Sequence, residues 1–254
     1  MLTNTVVLFL RDLLPMFIMF AYLSVIHKHF YRQTSRRTSM ITLSLLLSVL
    51  ILFFYESISD MFEGTGIEWL KIVFVSFAFI CFLLTHTKGM NFAKYYLLSI
   101  ASLLLLIVHL NSFLLYFTIY FANTDLIFEL LIGCAIGIGI CVSFYFLFSF
   151  FIQELWLSKY NFVVLFLWSL FVANQLSLVT NFLHQIDIIA FGTERLVDLT
   201  GWINEDSEYG FIVKALTGFD VTPSVFYSLL IGASFTLMFS LSMYNKQALL
   251  EDYR

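Results

Sequence analysis

The chain has 254 residues, 61% of them hydrophobic and 12% charged, with a formal net charge of -4 and a mean hydropathy of +0.93. Soluble domains carry about a quarter charged residues, so a soluble globular enzyme is excluded, and so is a disordered chain. With only 13 Lys and Arg there is no basic stripe to hold a phosphate backbone; nucleic acid is excluded as a partner, and the lipid bilayer is the expected one.

Apolar runs fall at about 5–27, 40–55, 67–85, 96–121, 126–150, 160–184 and 223–244. Each except the second approaches the roughly 20 residues that a membrane-crossing helix needs. Alternating strands of the outer-membrane barrel type are missing, so the expected fold is an all-α polytopic membrane protein with seven transmembrane helices. The N-terminal run lacks a basic start and a small-residue cleavage site, and reads as the first span rather than a signal peptide.

Loop charge sets the orientation. Lys28, Arg32, Arg36, Arg37, Lys88, Lys94, Lys159, Lys246 and Arg254 fall on one side, while the other has Arg195 and Lys214 among thirteen acids. The positive-inside rule then puts the N-terminus outside and the C-terminus in the cytoplasm. Residues 5–86 and 96–184 form two three-helix units of similar length, inverted relative to each other because each has an odd number of spans. An outer loop over 185–222 and a seventh helix over 223–244 complete the single transmembrane domain. Within the loop, 208–217 reads as a short interfacial helix capped by Gly218.

Several polar residues lie within or beside the spans. Arg11 and Asp12 precede Pro15 in the first; such charges either anchor the helix at the interface or open an ion path. Glu56, Asp60 and Glu63 are spaced four and three apart, so on a helix they share one face and suit a hard cation; a solvated acidic loop would carry the same letters. His109 and Asn111 lie mid-way in the fourth span, as metal ligands, proton carriers or interhelical hydrogen-bonders. Asn174, Gln175, Asn181 and His184 form a polar series in the sixth, with Asp187 placed to orient His184. Gly133 and Gly137, with the neighbouring Gly139, mark a close helix contact. Cys81, Cys134 and Cys141 lie in apolar runs without CxxC spacing and read as packing residues. No nucleotide loop, zinc-protease motif or nucleophile elbow occurs, so enzyme activity is not expected.

Two stretches, FVANQLSLVTNFLHQIDII from Phe171 and DLTGWINEDSEYGFIVKALTGFDVTPSVFYSLLIGASFTLMFSLSMY from Asp198, resemble the end of the iron permease family. The carrying residues are Asp198, Leu199 and Thr200, then Gly210, Leu216, Gly218, Phe219, Pro223 and Ser224; Met61 to Gly64 is similar to the Phe-Glu-Gly that opens the family's third helix. The family carries Arg-Glu-Gly-Leu-Glu in helices one and four, whose glutamates bind iron. Here the first place reads RDLLP, with Arg11 kept, Asp12 for one glutamate and Pro15 for the other. The second reads LNSFL, with Asn111 and Leu114 in the glutamate places.

The resemblance implies a multi-pass permease of the bacterial inner membrane. Iron or another divalent or trivalent cation would be substrate rather than resident cofactor, and an outer oxidase or binding protein would be a partner. Its ligands would come from Asp12, Glu56, Asp60, Glu63, His109, Asn111 and His184, with Arg11 on the path. The eroded signature supports an alternative: a non-transporting structural or assembly subunit of a membrane complex. Heme ligation by His109 and His184 is disfavoured, because the two lie at different depths.

Overall fold

The computed structural model describes residues 2–27, 34–87, 91–121, 127–188, 196, 207, 210, 213, 220–247 and 249. The chain is helical among these residues. The first helix comprises α1 (Leu2–Leu8), a π-helical turn (Phe9–Leu13) and α2 (Leu14–Ile26). There follow α3 (Thr34–Phe53), the short α4 (Tyr55–Ser59), α5 (Gly66–Thr85), α6 (Asn91–Phe121), α7 (Ile127–Leu157), α8 (Asn161–Gln185) and α9 (Val225–Tyr244). The interfacial helix expected at 208–217 falls outside the described residues, apart from Gly210 and Val213.

Among the described residues six helical segments are long and apolar enough to cross a membrane: Thr5–Ile26, Gly66–Thr85, Ala93–Thr118, Phe128–Leu157, Asn161–Gln185 and Val225–Tyr244. The protein is a multi-pass helical membrane protein whose apolar helices contact the bilayer. The apolar part of α3, Thr38–Phe53, is shorter. At about 1.5 Å per residue it covers about 24 Å of a hydrocarbon core about 30 Å thick.

Burial separates centre from rim. Within Thr5–Ile26, 72% of the most apolar window is buried, against 22% in Phe128–Leu157 and in Val225–Tyr244. The first helix is therefore the centre of the bundle, and α7 and α9 turn most of their surface to lipid. The first helix packs along α7, α3 lies on α6, α5 touches both α6 and α8, and α9 covers α8.

Two features fix the first helix in place. Gly133 and Gly137 of α7 form a seat one helical turn long, and Thr5 and Phe9 press into it. Gly139 faces open space, so the close contact uses only the two glycines four apart. Further along, Tyr22 is enclosed by aromatic rings: Phe148 and Trp168 at 5.3 Å and Phe171 at 5.7 Å between centroids, with Phe82 at 5.4 Å from Trp168. Tyr22, Phe82, Trp168 and Phe171 are fully buried. These rings weld α2, α5, α7 and α8 by edge-on and tilted contacts. Cys81 and Cys141 are buried, Cys134 is half-buried, and all three are free thiols, in keeping with their packing role.

Candidate functional site: a charged cluster at a helix defect

The first helix departs from α-geometry where its charges lie. In the π-turn the Leu14 N–H reaches back to the Phe9 carbonyl, one residue further than an α-helix allows. Pro15 has no N–H to return to the preceding turn, so a backbone acceptor loses its usual donor. The Cys141 thiol, 3.8 Å away, donates a weak bond to the Phe9 carbonyl. Local unwinding therefore coincides with Arg11 and Asp12.

Arg11 Nε and one terminal nitrogen hold the two Asp12 carboxylate oxygens at 2.8 and 3.0 Å. This two-pronged match is the geometry guanidinium and carboxylate favour. The pair is asymmetric: the Arg11 side chain is 42% exposed and that of Asp12 9%. Arg11 also lies 4.6 Å from the centre of the Tyr116 ring on α6, a cation–π contact, while Phe9 meets Phe113 of α6 edge-on at 4.9 Å. The π-turn is thus pinned to α6 at Phe9 and at Arg11.

His109 of α6 faces the same turn. Its Nε2 lies 2.9 Å from Gln175 Oε1 on α8, its ring interacts with the Asp12 backbone, and it feels the charges of Asp12 and of Lys71 on α5. Lys71 interacts electrostatically with Glu68, Asp12 and Arg11, and its ammonium lies 5.3 Å from the Phe182 ring centre on α8. The ion pair Arg11–Asp12 of the first helix and the hydrogen-bonded pair His109–Gln175 of α6 and α8 are the core of the site, and Lys71 of α5 acts on it electrostatically. Within the pair the two charges balance, which is how ionisable groups persist inside a bundle.

The other expected ligands do not join this cluster. Asn111 is buried, but two residues along a helix turn it about 200° from His109; its amide nitrogen makes no hydrogen bond among the described residues. Glu56, Asp60 and Glu63 are exposed and share no helical face, because α4 ends at Ser59. Phe62, Glu63 and Gly64 then adopt positive φ values of 53°, 62° and 94°. Three successive left-handed residues turn Glu63 away from the line of Glu56 and Asp60. His184 is half-buried in the last turn of α8 and Asp187 is exposed; no hydrogen bond joins their side chains among the described residues, because Asp187 has turned into the left-handed region at φ 52°. Among the described residues no three His, Cys, Asp or Glu side chains converge as a metal-binding group.

From the sequence, Lys71 was recognisable as a charge within a span but had no role, Tyr116 did not stand out, and Gln175 had no partner. The available signal was a lysine inside an apolar span, which demands a counter-charge. A cavity of about 340 Å³ lies beside the π-turn, lined by Leu13, Met16, Phe17, Leu45, Leu110 and Tyr145 among others. Its walls are hydrocarbon apart from the tyrosine. No family model matches this chain, nor does any curated protein or solved structure.

Proposed function

We propose that the protein is a permease-like membrane protein that admits a small cation, with iron or another metal ion as substrate class, and that Asp12 is its entry carboxylate. One observation carries this reading: a buried Asp12, held by an intramolecular cation, lies at a π-helical defect beside His109 and Lys71. Arg11 occupies the carboxylate as a tethered stand-in for the substrate. An incoming cation takes Asp12 as Arg11, half-exposed and resting on Tyr116, withdraws toward the outer face. Glu56, Asp60 and Glu63 lie in the exposed region before α5 and raise the local cation concentration by field focusing.

The packing pattern supports the inverted-unit reading. The second helix of each unit lies on the first helix of the other: α3 on α6, and α7 on α1 and α2. The third helices, α5 and α8, pack together. A seventh crossing uses α3, extended by α4 beyond the turn at Phe54. Loop charge then favours an outward N-terminus and a cytoplasmic C-terminus, and the bacterial inner membrane is the setting in which a periplasmic donor protein would deliver the ion.

A second reading, a non-transporting subunit of a membrane complex, is favoured by the aromatic closure around Tyr22 and Trp168. Flux decides between the two. In proteoliposomes loaded with a metal-sensitive dye, wild type should pass Fe²⁺ and Asp12→Ala should reduce the rate at least ten-fold. No flux of any divalent metal by the wild type, together with co-purification of a stoichiometric membrane partner, would establish the subunit role.

A further inference from the structure

At the far end of the first helix from Asp12, three helix C-termini meet around two histidines. His27 caps α2, His86 caps α5 and Asn245 caps α9. All three residues are buried. The imidazole centroids of His27 and His86 are 6.0 Å apart, and Asn245 Nδ2 donates to the His86 carbonyl oxygen.

The tautomer of His86 follows from its partners. Its Nδ1 lies 3.0 Å from the Phe82 carbonyl oxygen and 3.0 Å from Thr85 Oγ1. A carbonyl only accepts, so Nδ1 carries the proton and Nε2 carries the lone pair. That Nε2 is buried and has no hydrogen-bond partner among the described residues, and the same holds for Asn245 Oδ1. A buried lone pair without a donor is costly unless something else takes it up. An imidazole that donates one nitrogen to a backbone carbonyl and leaves the other bare is oriented as metal-bound histidines are.

We propose that His27 and His86 form a transition-metal site taking Zn²⁺ or a similar imidazole-preferring ion, with Asn245 Oδ1 as an oxygen donor beside it. The spacing fits: with Zn–N bonds of about 2.0–2.1 Å and the nitrogen about 1.1 Å from its ring centre, two imidazoles on one ion hold their centroids about 5–6 Å apart. The C-terminal ends of α2, α5 and α9 add partial negative charge toward the ion. The metal staples α2, α5 and α9 at one end of the bundle. This site is separate from the Asp12 cluster and stands whether or not the protein transports anything.

The test uses the full-length protein in lipid nanodiscs, stripped with a chelator and titrated with Zn²⁺, then with Co²⁺ as a spectroscopic stand-in. The wild type should retain about one equivalent of Zn²⁺, and its Co²⁺ form should show the d–d bands of nitrogen ligation. His27→Ala and His86→Ala should each weaken binding at least ten-fold, of the order seen for losses at metal sites, while His184→Ala should leave it unchanged. Zinc binding that persists in the His27→Ala/His86→Ala double variant would overturn the proposal. So would a wild type that holds no zinc or gives no nitrogen-ligand bands, a readout that depends on no variant folding.

Discussion

The Phe9 ring rests on Gly137: a methyl group at that glycine would come 2.5 Å from Phe9 Cγ. The contact is one end of the seat that α7 offers the first helix, at the first residue of the π-turn that carries Arg11 and Asp12. Phe9 is itself wedged against Phe113 and cannot swing clear. Gly137→Ala should therefore destabilise the fold by about 1–3 kcal/mol through overpacking. Gly139→Ala, with nothing within 4 Å, should leave stability unchanged or raise it slightly through helix propensity. Thermal unfolding of the two variants in one detergent compares them directly.

Removing Arg11 should cost more than its exposure suggests. Arg11→Ala leaves Asp12 as a buried carboxylate whose remaining cationic neighbour is Lys71. Breaking a fully buried pair costs about 3–5 kcal/mol; the half-exposed arginine scales this to about 1–3 kcal/mol. The double variant Arg11→Ala/Asp12→Ala should regain part of the loss. Steric-trap or denaturant unfolding in lipid would detect it, and a double variant less stable than Arg11→Ala would show that Asp12 has a structural partner besides Arg11.

The bond between His109 and Gln175 crosses from α6 to α8 at 2.9 Å. Interhelical polar bonds in membranes average about 0.6 kcal/mol and reach about 1.7 kcal/mol. A double-mutant cycle with His109→Leu and Gln175→Leu should return a coupling energy in that range. A coupling near zero would mean that His109 is held by the π-turn alone.

Topology can be read chemically. With a seventh crossing through α3, cysteines introduced at Glu63 and Ser158 lie on opposite faces of the membrane, in a background where Cys81, Cys134 and Cys141 are replaced. Impermeant maleimide applied to intact cells should label Glu63→Cys and spare Ser158→Cys. Labelling of both, or of Ser158→Cys alone, would refute the outward placement of the acidic segment.

The apolar spans were legible because membrane-crossing helices must be long and greasy, and their limits agree closely with the helices for the first, third, sixth and seventh runs. The glycine seat was legible from its four-residue spacing, although Gly139 lies off it. The π-turn was not, because hydrogen-bond register leaves no mark in composition; Pro15 hinted only at a lost donor. His27 and His86 passed unnoticed for a related reason. Each falls at the end of an apolar run, where a histidine looks like an ordinary loop residue, and only the convergence of three helix ends buries them together. Glu63 misled in the opposite direction: its spacing from Asp60 suited a helix that had already ended.

The rings around Tyr22 bear on electrical insulation. Along the first helix Tyr22 lies ten residues beyond Asp12, about 15 Å, and five residues before His27. A charge leaving the polar cluster along this axis meets packed aromatic rings rather than water. On the proposed permease reading, this closure would keep an unoccupied protein from dissipating the membrane potential, worth about 2.3 kcal/mol per charge per 100 mV. On the same reading, ion passage along this axis would require Tyr22 to part from Trp168 and Phe171, so smaller residues at Trp168 should raise the ion leak of proteoliposomes.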